Sequence, residues 1–198
     1  MTGKEIWWEK TVEYKFVLDA AKESGLDFAA PLSGIQEMAG DGIFSADAKL
    51  ILVEFKRDFN SLKSEVDKFT CYDKAAKKLK GRDNHHFLVY GYVEKKELKL
   101  QARNYFAVKK IHPPLSILNK GLADSEFKEY LKDLITLKKV DKRSSSGTVA
   151  PEFLNTVIGL SSDGASSIPL TEYVRKALPE LYQALVKTKK ISSSYTNG

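Results

Sequence analysis

The sequence predicts an α/β protein, a mixed central sheet flanked by helices, with a small helical extension at its C-terminal end. Three observations carry this. Apolar runs of β character occur at Lys49-Leu-Ile-Leu-Val-Glu-Phe-Lys, His86-Phe-Leu-Val-Tyr-Gly-Tyr-Val and Leu98-Lys-Leu-Gln-Ala-Arg-Asn-Tyr-Phe-Ala-Val. Between and around them, residues 4–24, 61–80 and 124–139 repeat apolar side chains at helical spacing. The chain has 198 residues, enough for one compact unit that buries roughly 70% of the surface its unfolded form exposes. We expect an α/β domain over residues 1–142, a flexible polar linker over 143–148, and a helical extension with a disordered tail over 149–198.

The elements follow in order. Residues 4–24 form the opening helix, with Ile6, Phe16, Val17, Ala20 and Ala21 inward and Gly25 beyond its end. Glu13 falls within this apolar stripe, so it is either held inside for a purpose or rotates to the edge and pairs with Lys10. Residues 27–40 read as a loop broken by Pro31 and Gly34. Gly40-Asp-Gly-Ile-Phe-Ser and the Lys49 run then form a hairpin about Ala46-Asp47-Ala48, and the second arm is apolar enough to be buried on both faces. Residues 61–80 read as one helix with Leu62, Val66, Phe69 and Ala76 inward and lysines outward. The next two strands meet at a charged turn around residues 94–97, and His112-Pro-Pro ends the second. Phe127, Leu131, Leu134 and Ile135 make the stripe of the helix at 124–139. Residues 151–160 and 170–186 read as the two helices of the extension.

Composition excludes several classes. The single cysteine, Cys71, can form neither an internal disulfide nor a thiolate zinc site. No apolar run approaches the ~18 residues of a membrane span, and the charged start lacks a signal-peptide core, so a soluble, cytoplasmic setting is expected with no membrane partner. The formal net charge is +6. Lys74, Lys77, Lys78, Lys80 and Arg82 concentrate it in one stretch, suited to phosphate contacts or to a solvated helix face.

The chemistry centres on Asp41, Glu54 and Lys56. Strand side chains alternate, so Glu54 and Lys56 share one face and Val53 and Phe55 the other. With an even-numbered hairpin loop Asp41 lies opposite Leu52 and joins the first face. Two carboxylates so placed need a compensating cation, and Mg²⁺ is the usual one where hard oxygens leave positions open for water. A lysine beside them is equipped to orient or help deprotonate the water, which together suits phosphodiester hydrolysis.

Asp41, twelve intervening residues and then Glu54-Phe55-Lys56 at the end of an apolar strand resemble the D…ExK signature of the PD-(D/E)xK nucleases, the restriction-endonuclease-like superfamily. The resemblance spans residues 5–108. It implies that Asp41 and Glu54 bind Mg²⁺ or Mn²⁺ with the Phe55 carbonyl, that Glu13 of the opening helix (or Glu9 one turn earlier) completes the site, and that Lys56 positions the water. It also implies DNA as partner and substrate. The ExK tripeptide occurs five times in this lysine-rich chain, but only Glu54-Phe-Lys56 follows a buried-strand pattern. Gly40 stands where the family name has proline. The alternative is a catalytically inactive module of the same fold, binding nucleic acid or a protein partner, with the C-terminal helices as an interface or a homodimer contact.

Other candidates are weaker. His85 and His86 face opposite sides of a strand and read as ordinary strand-entry residues, His112 as a turn residue, and Trp7-Trp8 as core or anchoring residues. Neither a GxSxG elbow nor a phosphate-binding glycine loop occurs.

Overall fold

A computed structural model describes residues 7–24, 28–29, 43–138, 155–162 and 164–194. Helix α1 (Glu9–Ser24) is followed by β1 (Phe28–Ala29), β2 (Lys49–Lys56), a 3-10 segment (Phe59–Lys68) and α2 (Tyr72–Leu79). Then come β3 (His86–Glu94), β4 (Glu97–Asn104), β5 (Ile111–His112), a second 3-10 segment (Pro114–Lys120) and α3 (Asp124–Leu137). The chain closes with β6 (Asn155–Ser161), β7 (Gly164–Pro169), α4 (Leu170–Ala177) and α5 (Pro179–Ser194). The seven strands form one mixed sheet in the order β1-β7-β6-β2-β3-β4-β5. No helix of the described residues is long and apolar enough to cross a membrane.

β2 lies at the centre because it is apolar on both faces. Leu50 and Leu52 point into one core layer, with Leu88 of β3, Phe127, Leu131 and Leu134 of α3, and Tyr173 and Val174 of α4. Ile51, Val53 and Phe55 point into the other, where Val12, Phe16 and Ala20 of α1 cover them. β2 and β3 run parallel, joined by a crossover through the 3-10 segment and α2. β3 and β4 form the expected hairpin; Lys95 and Lys96 at its tip both have positive φ, the geometry of a tight two-residue reversal.

Four expectations are corrected. First, the antiparallel neighbour of β2 is β6, with Leu52 opposite Val157 and Glu54 opposite Asn155. Residues 43–48 turn tightly before β2 and form no strand beside it; Gly40, Asp41 and Gly42 lie outside the described residues. Asp47 ties this turn to the β6–β7 connection, its carboxylate accepting from the Ser162 amide at 2.8 Å and the Ser45 hydroxyl at 2.8 Å. Second, the C-terminal segment is not purely a helical extension, since residues 155–160, expected to be helical, lie in strand β6 inside the main sheet, and residues 143–148 lie outside the described residues. The Asn155-Thr-Val-Ile-Gly-Leu-Ser run is rich in β-branched residues and has its edge satisfied by two neighbours. Third, the stretch 61–80 is two elements, broken at Phe69-Thr70-Cys71. Fourth, residues 170–186 are two helices, because Pro179 cannot donate to a continuing helix and starts α5 instead; α5 reaches Ser194, past residue 186 where the expected helix ended.

The 3-10 geometry has a chemical consequence. With three residues per turn, side chains three apart lie above one another, so Leu62, Glu65 and Lys68 share the inward side. Leu62 and Glu65 are buried, whereas Val66, expected inward on an α-helical count, is about half exposed.

Candidate active site

Glu54 and Lys56 leave the central strand on the same face, as strand alternation requires, and both are buried. Lys56 Nζ lies 3.1 Å from Glu54 Oε1. The 3-10 segment then adds two groups. Glu65 Oε1 is 2.5 Å from Lys56 Nζ, and Lys68 Nζ contacts Glu54 Oε1 and stands 2.8 Å from Glu65 Oε1. From the turn after β4, Tyr105 Oη donates to Glu65 Oε2 at 2.7 Å. Lys138, just past α3, is buried with its ammonium 5.7 Å from the Tyr105 ring centroid and 5.9 Å from that of Phe69. His86 stacks on Tyr105, centroids 3.9 Å apart, and its Nδ1 shares a hydrogen bond of 2.7 Å with Tyr130 Oη.

The charges are mutually dependent. Burial alone would raise the Glu54 carboxyl, but the charges of Lys138, Lys68 and Lys56 together hold it below the usual carboxylate range. Glu65 is pushed up by burial and then by the charge of Glu54 beside it, with Lys68 and Lys56 opposing. Lys56 loses by burial and gains more from Glu54 and Glu65, so its ammonium is held charged. Burial pulls Lys138 down against the attraction of Glu54. Glu54 Oε2 has no hydrogen-bond partner, and neither Asn155 side-chain atom has one although that residue is buried. Directly opposite residues of an antiparallel pair share a face, so Asn155 stands on the Glu54 side of the sheet.

The opening helix contributes a different glutamate from the first choice. Glu13 sits at the edge of α1, paired with Lys10 at 2.6 Å, and makes no ion pair with Lys56 or Lys68. Glu9 brings Oε1 to 3.9 Å from Lys56 Nζ although α1 packs on the opposite face of the sheet. An anchor at the head of the helix places it there. Trp7 Nε1 donates to the Arg57 carbonyl at 2.7 Å, one residue past Lys56. Gly91 makes room, since a Cβ there would lie 2.6 Å from that indole nitrogen.

The remaining predicted residues divide. Asp41 lies outside the described residues. Phe55 turns its ring to Phe16, 5.7 Å away, while its backbone lies past the last register pair of β2 with β6, Glu54–Asn155. Lys74 and Lys77 of α2 and Lys80 after it are exposed. Lys78 and Arg82 are instead engaged by Asp133 of α3, at 2.8 and 2.7 Å, so two of the five predicted phosphate contacts already have a carboxylate. Glu65, Lys68, Tyr105, Lys138 and Asn155 were missed. Only Glu65 carried a signal, since on an α-helical count it already falls beside Phe69 and Ala76 on the expected inward face, whereas Lys68 does not.

Hard oxygen donors suit Mg²⁺ or Mn²⁺, and an unpartnered buried carboxylate oxygen is what such a cation would use. Among the described residues no group of three or more His, Cys, Asp or Glu side chains is placed to hold a metal ion. Comparison with family models, with curated proteins and with solved structures found no match.

Proposed function

We propose that the protein is a metal-dependent nuclease of the restriction-endonuclease-like PD-(D/E)xK type, hydrolysing phosphodiester bonds in DNA. The observation that carries this is the pairing of Glu54 with Lys56, buried side by side at the end of the central strand, with one Glu54 oxygen unpartnered. Surface ion pairs do not need such a setting. A carboxylate and an ammonium are brought out of water at considerable cost, and an active site is a place where that cost recurs.

In this reading Glu54 holds a divalent cation together with Asp41 and the Phe55 carbonyl; when bound, the cation would neutralise phosphate charge and lower the pKa of water. Lys56 acts as a fixed donor. Its ammonium, kept protonated by Glu54 and Glu65, orients the attacking water and stabilises negative charge on the phosphate oxygens. A general-base role would require it to lose the proton that two carboxylates hold. Glu9 is the α1 carboxylate within reach of Lys56. Lys74, Lys77 and Lys80 remain free of Asp133 to meet the phosphate backbone, which supplies affinity without sequence information.

One observation favours the alternative, a module of the same fold that binds nucleic acid or a protein without cutting: the Lys68 ammonium rests on Glu54 Oε1, where a cation would be needed. A single experiment decides. Single-stranded, double-stranded and branched DNA and RNA are incubated with Mg²⁺ or Mn²⁺ and the wild type, Glu54→Ala or Lys56→Ala. Metal-dependent cleavage lost in both variants, with DNA binding retained by Lys56→Ala, supports the nuclease. Binding without cleavage by folded wild type supports the module, and cleavage at wild-type rate by Lys56→Ala refutes the role given to Lys56.

A further inference from the structure

We propose that Glu65 is a second side-chain ligand of a divalent-cation site shared with Glu54, and that the Lys68 ammonium occupies this site as a tethered cation that the metal displaces. The proposal rests on the nuclease reading of Glu54 as a cation-binding carboxylate and adds two residues to it.

The geometry is that of a cation between two carboxylates. Lys68 Nζ contacts Glu54 Oε1 and lies 2.8 Å from Glu65 Oε1, so the two oxygens already converge on one positive centre. Lys56 Nζ bridges the same two oxygens at 3.1 and 2.5 Å. The two lysines differ in their freedom. Lys56 is enclosed, its side chain 4% exposed, and starts from the rigid central strand. Lys68 is 28% exposed and comes from the last residue of the 3-10 segment, so its flexible stem can swing toward water without disturbing the sheet. A divalent ion bonds oxygen at ~2.0–2.6 Å and would replace one ammonium with two charges in the same gap.

Two further features point to a ligand beyond the lysines. Glu54 Oε2, on a fully buried residue, has no partner, and Asn155, also buried and opposite Glu54 in the β2–β6 register, leaves both its side-chain atoms unpartnered. A site complete with its ammoniums would not leave these buried polar groups unused. Tyr105 meanwhile secures Glu65 from behind through Oε2, leaving Oε1 to face the gap. That is the support a ligating carboxylate ordinarily receives.

The test is direct binding of Mn²⁺ to the metal-free full chain, read from loss of the free-ion electron paramagnetic resonance signal, without substrate. Wild type, Lys68→Met, Glu65→Gln and Tyr105→Phe are compared, each checked for folding by near-ultraviolet circular dichroism. Removing the competing ammonium should tighten Mn²⁺ binding by roughly 10-fold or more, and neutralising Glu65 should weaken it by a similar factor. Tyr105→Phe, which only loosens Glu65, should fall between Glu65→Gln and wild type. If Glu65→Gln does not fold, Lys68→Met alone decides. Unchanged or weaker affinity in Lys68→Met overturns the proposal, as does wild-type affinity in folded Glu65→Gln. Failure of the nuclease reading looks different: Mn²⁺ binding would depend on Glu65 and Lys68 while no substrate is cut. Conversely, Glu54-dependent cleavage with affinity indifferent to both residues would spare the nuclease and remove this site.

Discussion

Lys56→Met is the most informative stability perturbation, because it removes one charge from a buried network while keeping the volume of the stem. At 3.1 Å from Glu54 and 2.5 Å from Glu65, each contact is worth roughly 5–7 kcal/mol of gross attraction at an effective dielectric constant of about 20. Desolvating three charged groups returns most of that, so the pair contributes little net against an apolar replacement of the whole cluster. Removing one partner alone is another matter. Two buried carboxylates then keep only Lys68, which is partly exposed, and Lys138, whose charge is opposed by burial; losing the enclosed partner of a buried pair typically costs about 3–5 kcal/mol. For a chain of this size that is a fall in Tm of roughly 6–20 °C. Urea unfolding of wild type and Lys56→Met, with Glu65→Leu and the double variant completing a cycle, measures it. The double variant should be less destabilised than the sum of the singles by about 1–3 kcal/mol, since it removes a like-charge neighbour of Glu54 along with the lysine. A Lys56→Met stability within about 0.5 kcal/mol of wild type, with unchanged m-value, would refute the view that this network is interdependent.

His85 gives a pH-dependent prediction. Its ring is buried, edge-on to Phe127 and Tyr130 at 5.4 and 4.4 Å, with neither nitrogen hydrogen-bonded, and burial followed by the Arg82 charge lowers its pKa to about 4. A depressed folded-state value means the unfolded chain binds the proton first as pH falls. The stability from neutral His85 is therefore complete above pH 6.5 and is lost down to pH ~4, on the order of 3 kcal/mol in all; His85→Leu should reduce the slope of the stability profile across that window, where His86 and His112, also held below the usual imidazole range by burial, still contribute, and an unchanged slope would contradict the assignment. Asp133→Asn should release Lys78 and Arg82, and if α2 faces DNA the plot of log K against log salt steepens by up to about 2. An identical slope would show that these side chains do not meet phosphate.

Much of the frame was legible in the sequence, because it depends on neighbours in the chain. Leu50-Ile-Leu-Val is apolar on both faces wherever it is placed, so β2 had to be internal, and alternation alone put Glu54 beside Lys56. The β3–β4 hairpin and α3 likewise follow from local pattern and short connections. Glu13 shows where periodicity stops, since its place in the stripe allowed both an inward and an edge position, and the Lys10 contact selected the edge. The tertiary structure decided what depends on distant partners. Nothing near Asn155 in sequence says that it lies opposite Glu54 from 101 residues away; that register comes from β6 satisfying the open edge of β2. Nor does periodicity distinguish a 3-10 turn from an α turn over ten residues, yet that small difference in residues per turn brings Lys68 round to the side of Leu62 and Glu65 and leaves Val66 half exposed. The local chain determined which residues could meet at the end of β2, and packing across the sheet determined which ones do.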